Sequence, residues 1–248
     1  MDAADLSPAA PPASLLDGAA LFLDFDGTLV EIAESPGGIR VPAALRTLLS
    51  RLAERLGGRV AIVSGRALAD LAGHLQVPGI RLAGSHGLEI GLAGGGAAPV
   101  AVPAGLAAAH EEVARFAAGA PGLVVEAKPA GVALHFRQAP HREPAVADFL
   151  AALAVRTGLS LQRGKMVIEL RPPGADKGSV VRTLMAEPPF AGARPVFVGD
   201  DLTDEHGFVA AQAMGGAGIL VGRGGPSAAR FRLESVAAVA AWLEAAIG

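Results

Sequence analysis

The 248-residue chain contains no cysteine and no tyrosine, and only one tryptophan. Without cysteine there is no disulfide, no thiol nucleophile and no zinc–thiolate centre, which suits a reducing compartment, and a cytoplasmic location is expected. Charge is scarce too: charged residues make up 18% of the chain and the formal net charge is -3. Such a surface has no positive field to hold a polyanion, which argues against nucleic acid as the main partner. Hydrophobic residues reach 51%, but the excess is largely alanine and no apolar run attains membrane-spanning length. The opening "MDAADLSPAAPPASLLDGAA" begins with acids and has no basic region before an apolar core, so it does not read as a signal peptide. We expect residues 1–18 to be a flexible lead-in, and the protein to be a monomer with no membrane and a small molecule as its partner.

What is present is a run of alternating elements. Leu21 to Phe25 reads as a strand, and Leu45, Leu48, Leu49, Leu52 and Leu56 then recur at helical spacing until Gly57-Gly58. "RVAIVSGR" is the next strand, a short helix over Leu68 to Leu75 follows, and "IRLAGSHG" is a third strand. Strands alternating with helices predict a parallel sheet covered on both faces, with sites at the carboxyl ends of strands. After the loop "GLAGGGAAPVAVPAG" the pattern changes to helix, strands "LVVEA" and "GVALHFR", helix, and strands "LSLQR" and "MVIELRP". That order predicts a small α+β module over 104–173. From Asp176 the parallel pattern resumes, with a helix from Lys177, strand "PVFVGDD", a helix from Thr203, strand "GILVG" and a last helix holding Trp242. The main domain is therefore expected over 19–103 and 174–248, with the module inserted.

"LFLDFDGTLV" raises a chemical question, because it sets Asp24 and Asp26 where a buried strand meets a turn. Burying unpaired carboxylates costs several kcal/mol, so a cation or donors must compensate them. Other predicted strand ends carry Ser64 and the acidic set Asp200, Asp201 and Asp204, while Lys177 joins them from a helix start. Carboxylates converging on one crevice repel unless a hard cation sits among them. Mg²⁺, held by a few carboxylates plus substrate phosphate and water, is the natural choice. With a lysine and a hydroxyl donor beside it, a carboxylate pair of this kind suits phosphoryl transfer through an aspartyl-phosphate.

"DFDGTLV", "SGR", "DKG" and "GDDLTDE" resemble the four ordered motifs of the haloacid dehalogenase superfamily, and "SHGLEI", "EAKPAGVALHFR", "GKMVIELRP" and "GDDLTDEHGF" resemble the trehalose-6-phosphate phosphatases within it. The resemblance covers nearly the whole chain. It implies an α/β fold, a Rossmann-like core with an inserted α/β cap, and Mg²⁺-dependent hydrolysis of trehalose 6-phosphate. By resemblance Asp24 is the nucleophile and a metal ligand, and Asp26 is the general acid and then base, its backbone carbonyl also on the metal. Ser64 is placed on the transferring phosphoryl group, Lys177 neutralises that group and the nucleophile, and Asp200 is the remaining metal ligand. Asp201 and Asp204 orient that ligand or its waters.

In the predicted module, alternate strand residues share a face. Glu126 with Lys128, His135 with Arg137, and Lys165 with Glu169 and Arg171 then give one mixed-charge face, while Val125, Leu134, Phe136, Met166, Ile168 and Leu170 give an apolar one. A face rich in donors and acceptors suits a sugar. The resemblance assigns Glu126, Arg137, Lys165 and Glu169 to the distal glucose. Arg66 and His86 are further candidates for substrate binding, each with a structural alternative: Arg66 a nearby salt bridge, His86 an ordering role at a strand end. The rival functions are a related phosphatase acting on another sugar phosphate, such as sucrose 6-phosphate or a glucosylglycerol phosphate, and a sugar-phosphate-binding regulator without turnover.

Overall fold

The strand β1 (Ala19–Leu23) is buried at every residue, as a strand flanked by neighbours and covered on both faces must be. The structure is a computed structural model, and it describes residues 9–32, 38–92, 104–128, 130–223 and 225–248. Leu21 and Leu23 point to one face of the sheet, where they pack with Leu45, Leu48, Leu49 and Leu52 of α1 (Ala43–Arg55) and Leu71 of α2 (Leu68–Leu75). Ala20 and Phe22 point to the other, against Val180, Val181 and Leu184 of α5 (Lys177–Met185) and Phe208 of α6 (Glu205–Ala213). Period-2 alternation along one strand thus serves two apolar layers.

The chain divides into two compact units, Met1–Ala98 with Asp176–Gly248, and Pro99–Ala175. In the first, the strands β2 (Val60–Val63), β3 (Arg81–Gly84), β4 (Glu89–Leu92), β9 (Arg194–Gly199), β10 (Ala217–Val221) and β11 (Phe231–Leu233) join β1. The order is β11-β10-β9-β1-β2-β3-β4. All neighbours are parallel except β3 and β4. Two edge strands go beyond the sequence pattern: Gly91 and Leu92, expected in a loop, end β4, and β11 follows no pattern in the sequence. Of the rest of the expected glycine-rich loop, 93–103 lies outside the described residues and Ala104-Gly105 forms a turn leading into the next helix. Ala13–Leu16, expected within a flexible lead-in, forms a turn of 3-10 helix with Leu16 buried, and Trp242 of α7 (Val236–Ile247) donates its indole N–H to the Pro12 carbonyl at 3.4 Å; residues 1–8 of the lead-in lie outside the described residues.

The second unit is an antiparallel sheet of β5 (Val124–Lys128), β6 (Gly131–His135), β7 (Ser160–Gly164) and β8 (Val167–Arg171), ordered β5-β6-β8-β7. Leu134, Phe136, Ile168 and Leu170 pack with Val113 of α3 (Leu106–Ala118) and Val146, Leu150 and Leu153 of α4 (Glu143–Thr157), which completes the expected apolar face. Arg137 and Lys165 depart from the strand reading. Both are exposed and lie in turns beyond the ends of β6 and β7, so alternation along a strand does not place them on the polar face. Met166 beside Lys165 has φ 61°, a left-handed turn conformation that breaks the strand there.

No helix among the described residues is long and apolar enough to cross a membrane.

Candidate active site

The parallel strands bring four polar segments to one end of the sheet. Asp24 follows β1, Ser64 follows β2, Ser85 and His86 follow β3, and Asp200 follows β9. Asp24 remains anchored to the sheet, since its N–H donates to the Val198 carbonyl at 2.9 Å. Lys177 arrives as the first residue of α5. Its position is fixed by a capping box in which Asp176 accepts the Ser179 N–H at 2.6 Å while the Ser179 hydroxyl accepts the Asp176 N–H at 3.0 Å.

Lys177 is 3% exposed, and its ammonium donates to Asp24 Oδ1 at 2.7 Å and to Asp204 Oδ1 at 2.6 Å. The second Asp204 oxygen accepts the N–H groups of Asp200 and Asp201, at 3.1 and 2.9 Å. Asp204 therefore spends both oxygens on holding Lys177 and shaping the loop after β9. Asp201 spends Oδ1 on the N–H of Leu202 at 2.7 Å, as the cap of the short turn that follows. Asp200 receives the Thr28 hydroxyl at 3.4 Å, so Thr28, singled out by no sequence argument, belongs to the site. Gly27 sits directly against Asp200: its φ is 89°, and a methyl group there would fall within the Asp200 carboxylate.

Among the described residues, Asp24, Asp200 and Asp204 bring one oxygen each within 4.8 Å of one another. Three carboxylates around one ammonium leave a formal deficit of positive charge. Burial pushes the Asp24 carboxyl well above its ordinary range, and Asp204 and Asp200 add to this; the attraction of Lys177 opposes it. Asp200 is pushed up to about 6, first by burial and then by Asp204. Burial works against the Lys177 charge, but the pull of Asp204 and Asp24 outweighs it and holds the ammonium protonated above its ordinary value. A set of oxygen ligands that is short of one cation fits a hard divalent ion such as Mg²⁺.

Asp26 stands outside that trio of oxygens. Its carboxylate is forked by Arg66, with Nε donating to Oδ2 at 2.6 Å and Nη2 to Oδ1 at 2.9 Å. This is a bidentate salt bridge, with the Arg66 side chain 14% exposed. Ser64 is 1% exposed, and its Oγ accepts the Arg66 N–H at 3.2 Å, which leaves the hydroxyl proton to donate. The His86 ring lies over Gly65, where an added Cβ would come within 2.6 Å of Nε2. Ser85 and His86 both have positive φ, 48° and 55°, and Glu89 braces them by accepting the Ser85 hydroxyl at 2.7 Å and the Leu68 N–H at 3.1 Å.

In the second unit, strand register sets Glu126, Ala133, Glu169 and Gln162 in one row across the sheet. Lys128 donates to Glu169 at 2.5 Å, the His135 ring meets Glu126 at 2.7 Å, and Arg171 donates to Gln162 at 2.7 Å. The hydrogen bond to His135 outweighs burial and lowers the Glu126 pKa, with Lys128 assisting. The sheet thus brings Glu126 and Glu169 together on one polar face, and adds Gln162, which the sequence reading did not single out.

The sequence pattern of the trehalose-phosphatase family matches residues 22–237. The chain belongs to that family. It is 40% identical over 210 residues to a probable trehalose-phosphate phosphatase of Sinorhizobium fredii, covering 84% of this chain and 79% of that protein. With the trehalose-6-phosphate phosphatase of Escherichia coli it shares 38% identity over 235 residues, 91% of this chain and 85% of the relative. A solved trehalose-6-phosphate phosphatase related protein superposes with a TM-score of 0.75 at 29% identity, covering 90% of this chain and 95% of the other. Trehalose-phosphatases are phosphoric monoester hydrolases, so the chain is an enzyme and its substrate is a sugar phosphate.

Proposed function

We propose that this trehalose-phosphatase uses Mg²⁺ to hydrolyse trehalose 6-phosphate to trehalose and phosphate, with residues 19–103 and 174–248 as the catalytic core and 104–173 as a cap. The observation that carries the reading is the buried Asp24–Lys177–Asp204 array at the carboxyl end of β1, beside Asp200. Asp24 and Asp200, with the Asp26 carbonyl, are the metal ligands; Asp204 and Asp201 shape the loop that presents Asp200. Bound Mg²⁺ supplies positive charge that screens the phosphate oxygens from the carboxylate attacking them.

One Asp24 oxygen is held by Lys177, and the other attacks phosphorus, forming an oxygen–phosphorus bond as the bond to the sugar oxygen breaks. Asp26 gives that departing oxygen its proton. Asp26, now a carboxylate, takes a proton from water, the water oxygen joins phosphorus, and Asp24 leaves as a free carboxylate. Ser64 and Lys177 hold the phosphoryl oxygens in both halves. Glu126 and Glu169 accept hydroxyl protons of the distal glucose, with Arg137 and Lys165 donating to it from their turns. His86 borders the phosphoryl site. The partner is this one small molecule, with no nucleic acid or membrane involved, and the protein works as a monomer in the cytoplasm.

Phosphate release from trehalose 6-phosphate, glucose 6-phosphate and sucrose 6-phosphate, each with Mg²⁺ and with EDTA, tests the reading. Preference for the first, lost with EDTA, is the expected result. Metal-dependent release that favours another ester would keep the core chemistry and discard the substrate.

A further inference from the structure

Arg66 makes contacts that the chemistry above does not require. Its backbone is pinned on both sides: the N–H donates to Ser64 Oγ at 3.2 Å and the carbonyl accepts the Ser85 N–H at 2.7 Å. The guanidinium lies 5.8 Å from the centre of the Phe25 ring. Beyond the fork on Asp26, Nη1 donates to Asp70 Oδ2 at 2.7 Å, one turn into α2. The side chain of Arg66 is 14% exposed, that of Asp26 31% and that of Asp70 44%. One planar cation therefore carries a carboxylate on each side, and Phe25, the residue between Asp24 and Asp26, lies against it.

We propose that Arg66 is the positioning residue for Asp26, fixing the plane of its carboxylate by the two-point fork, and that Asp70 in turn fixes Arg66. The fork defines orientation where a single contact would leave the side chain free to turn about its last torsion. A carboxyl that must face the leaving oxygen in one half-reaction and water in the next gains from such a fixed plane. Each Asp26 oxygen keeps a second lone pair for that traffic. Arg66 is thereby withdrawn from the phosphoryl group, where the fork would have to break for it to bind. The inference rests on Asp26 as the proton donor of the proposed reaction, but its test needs no sugar.

The test uses the full chain with Mg²⁺ and two aryl phosphates. Phenyl phosphate has a poor leaving group, of pKa about 10 as for a tyrosine phenol, and depends on an acid; p-nitrophenyl phosphate has a good one and does not. In Arg66→Ala the rate of phenol release in the first turnover should fall by about 10²-fold, the usual worth of a placed acid. The nitrophenol burst should fall far less. Arg66→Lys should behave like Arg66→Ala, because a point charge cannot fork two oxygens. Asp70→Ala, on an exposed side chain with little bearing on folding, should show a smaller loss with the same bias toward phenyl phosphate. Equal losses on the two esters would put Arg66 on the phosphoryl group and overturn the proposal, as would full rescue by lysine. Failure of the parent enzyme on trehalose 6-phosphate would strike the substrate reading alone, because the aryl comparison does not depend on it.

Discussion

Replacing Lys177 with methionine removes one charge from a buried polar cluster while nearly conserving volume. The ammonium lies 2.7 Å from Asp24 and 2.6 Å from Asp204, whose side chains are 6% and 0% exposed. Removing one partner of a buried pair costs about 3–5 kcal/mol, because the remaining charge is stranded. For a chain of this length each kcal/mol moves Tm by about 2–4 °C, so the metal-free variant should melt roughly 6–20 °C below the parent at pH 7. Stranded carboxylates bind protons more readily in the folded than in the unfolded chain, so the deficit should shrink as pH is lowered toward 5. Mg²⁺ should recover part of the lost stability by replacing the missing positive charge, without restoring turnover. Differential scanning calorimetry of both proteins at pH 5 and 7, with and without Mg²⁺, reads the stabilities, and phosphate release reads turnover. A variant that melts with the parent at pH 7 would refute the reasoning, since the lysine would then contribute nothing to holding the carboxylates.

Gly27→Ala should cost about 1–2 kcal/mol for the left-handed backbone alone; its methyl group would also displace Asp200, so calorimetric titration should show Mg²⁺ binding lost as well as Tm lowered. Asp200 has a folded pKa of about 6 against an ordinary 3.8. A raised carboxylate favours the folded state while protonated, so the metal-free chain should lose stability as pH rises from about 4 to 6, by up to about 3 kcal/mol. Mg²⁺ needs the ionised form, so the Tm gain from Mg²⁺ should grow over that same interval; a gain independent of pH would remove Asp200 from the metal site. Glu169→Ala should raise KM for trehalose 6-phosphate by about tenfold or more through a lost charged hydrogen bond, and leave p-nitrophenyl phosphate nearly untouched. Similar effects on both substrates would make the Lys128–Glu169 pair a support of the sheet.

The central strands were legible because burial on both faces demands continuous apolar runs, and "LFL" and "VAIV" are short runs bounded by Asp-x-Asp-Gly and Ser-Gly turn residues. Leu68–Leu75 and the start at Lys177 were legible as the helices of a resumed strand–helix alternation. The edge strands were not. β4 carries Glu89 and Gly91, and β11 is three residues long, so neither has a pattern to read. Strand ends failed for a local reason at Arg137 and Lys165, where turns begin sooner than the alternation suggested. In the site, residue types and order indicated which strand ends carry chemistry. Spacing could not say that Asp204 grips Lys177 while Asp201 merely caps a turn, because both sit within one short acidic segment. Nor could it show that Asp26 faces Arg66, 40 residues away in sequence, with the helix residue Asp70 behind it.

Transfer of the phosphoryl group to the Asp24 carboxylate, as proposed, leaves a covalent adduct that can be trapped. Trehalose 6-phosphate labelled at phosphorus, mixed with enzyme and Mg²⁺ and quenched in acid within the first turnover, tests it by mass spectrometry of the peptide bearing Asp24. A phosphoryl adduct is expected on Asp24 in the parent and none in a folded Asp24→Asn variant, which should also release no phosphate. Phosphate release that persists in Asp24→Asn, or an adduct on another residue, would contradict it.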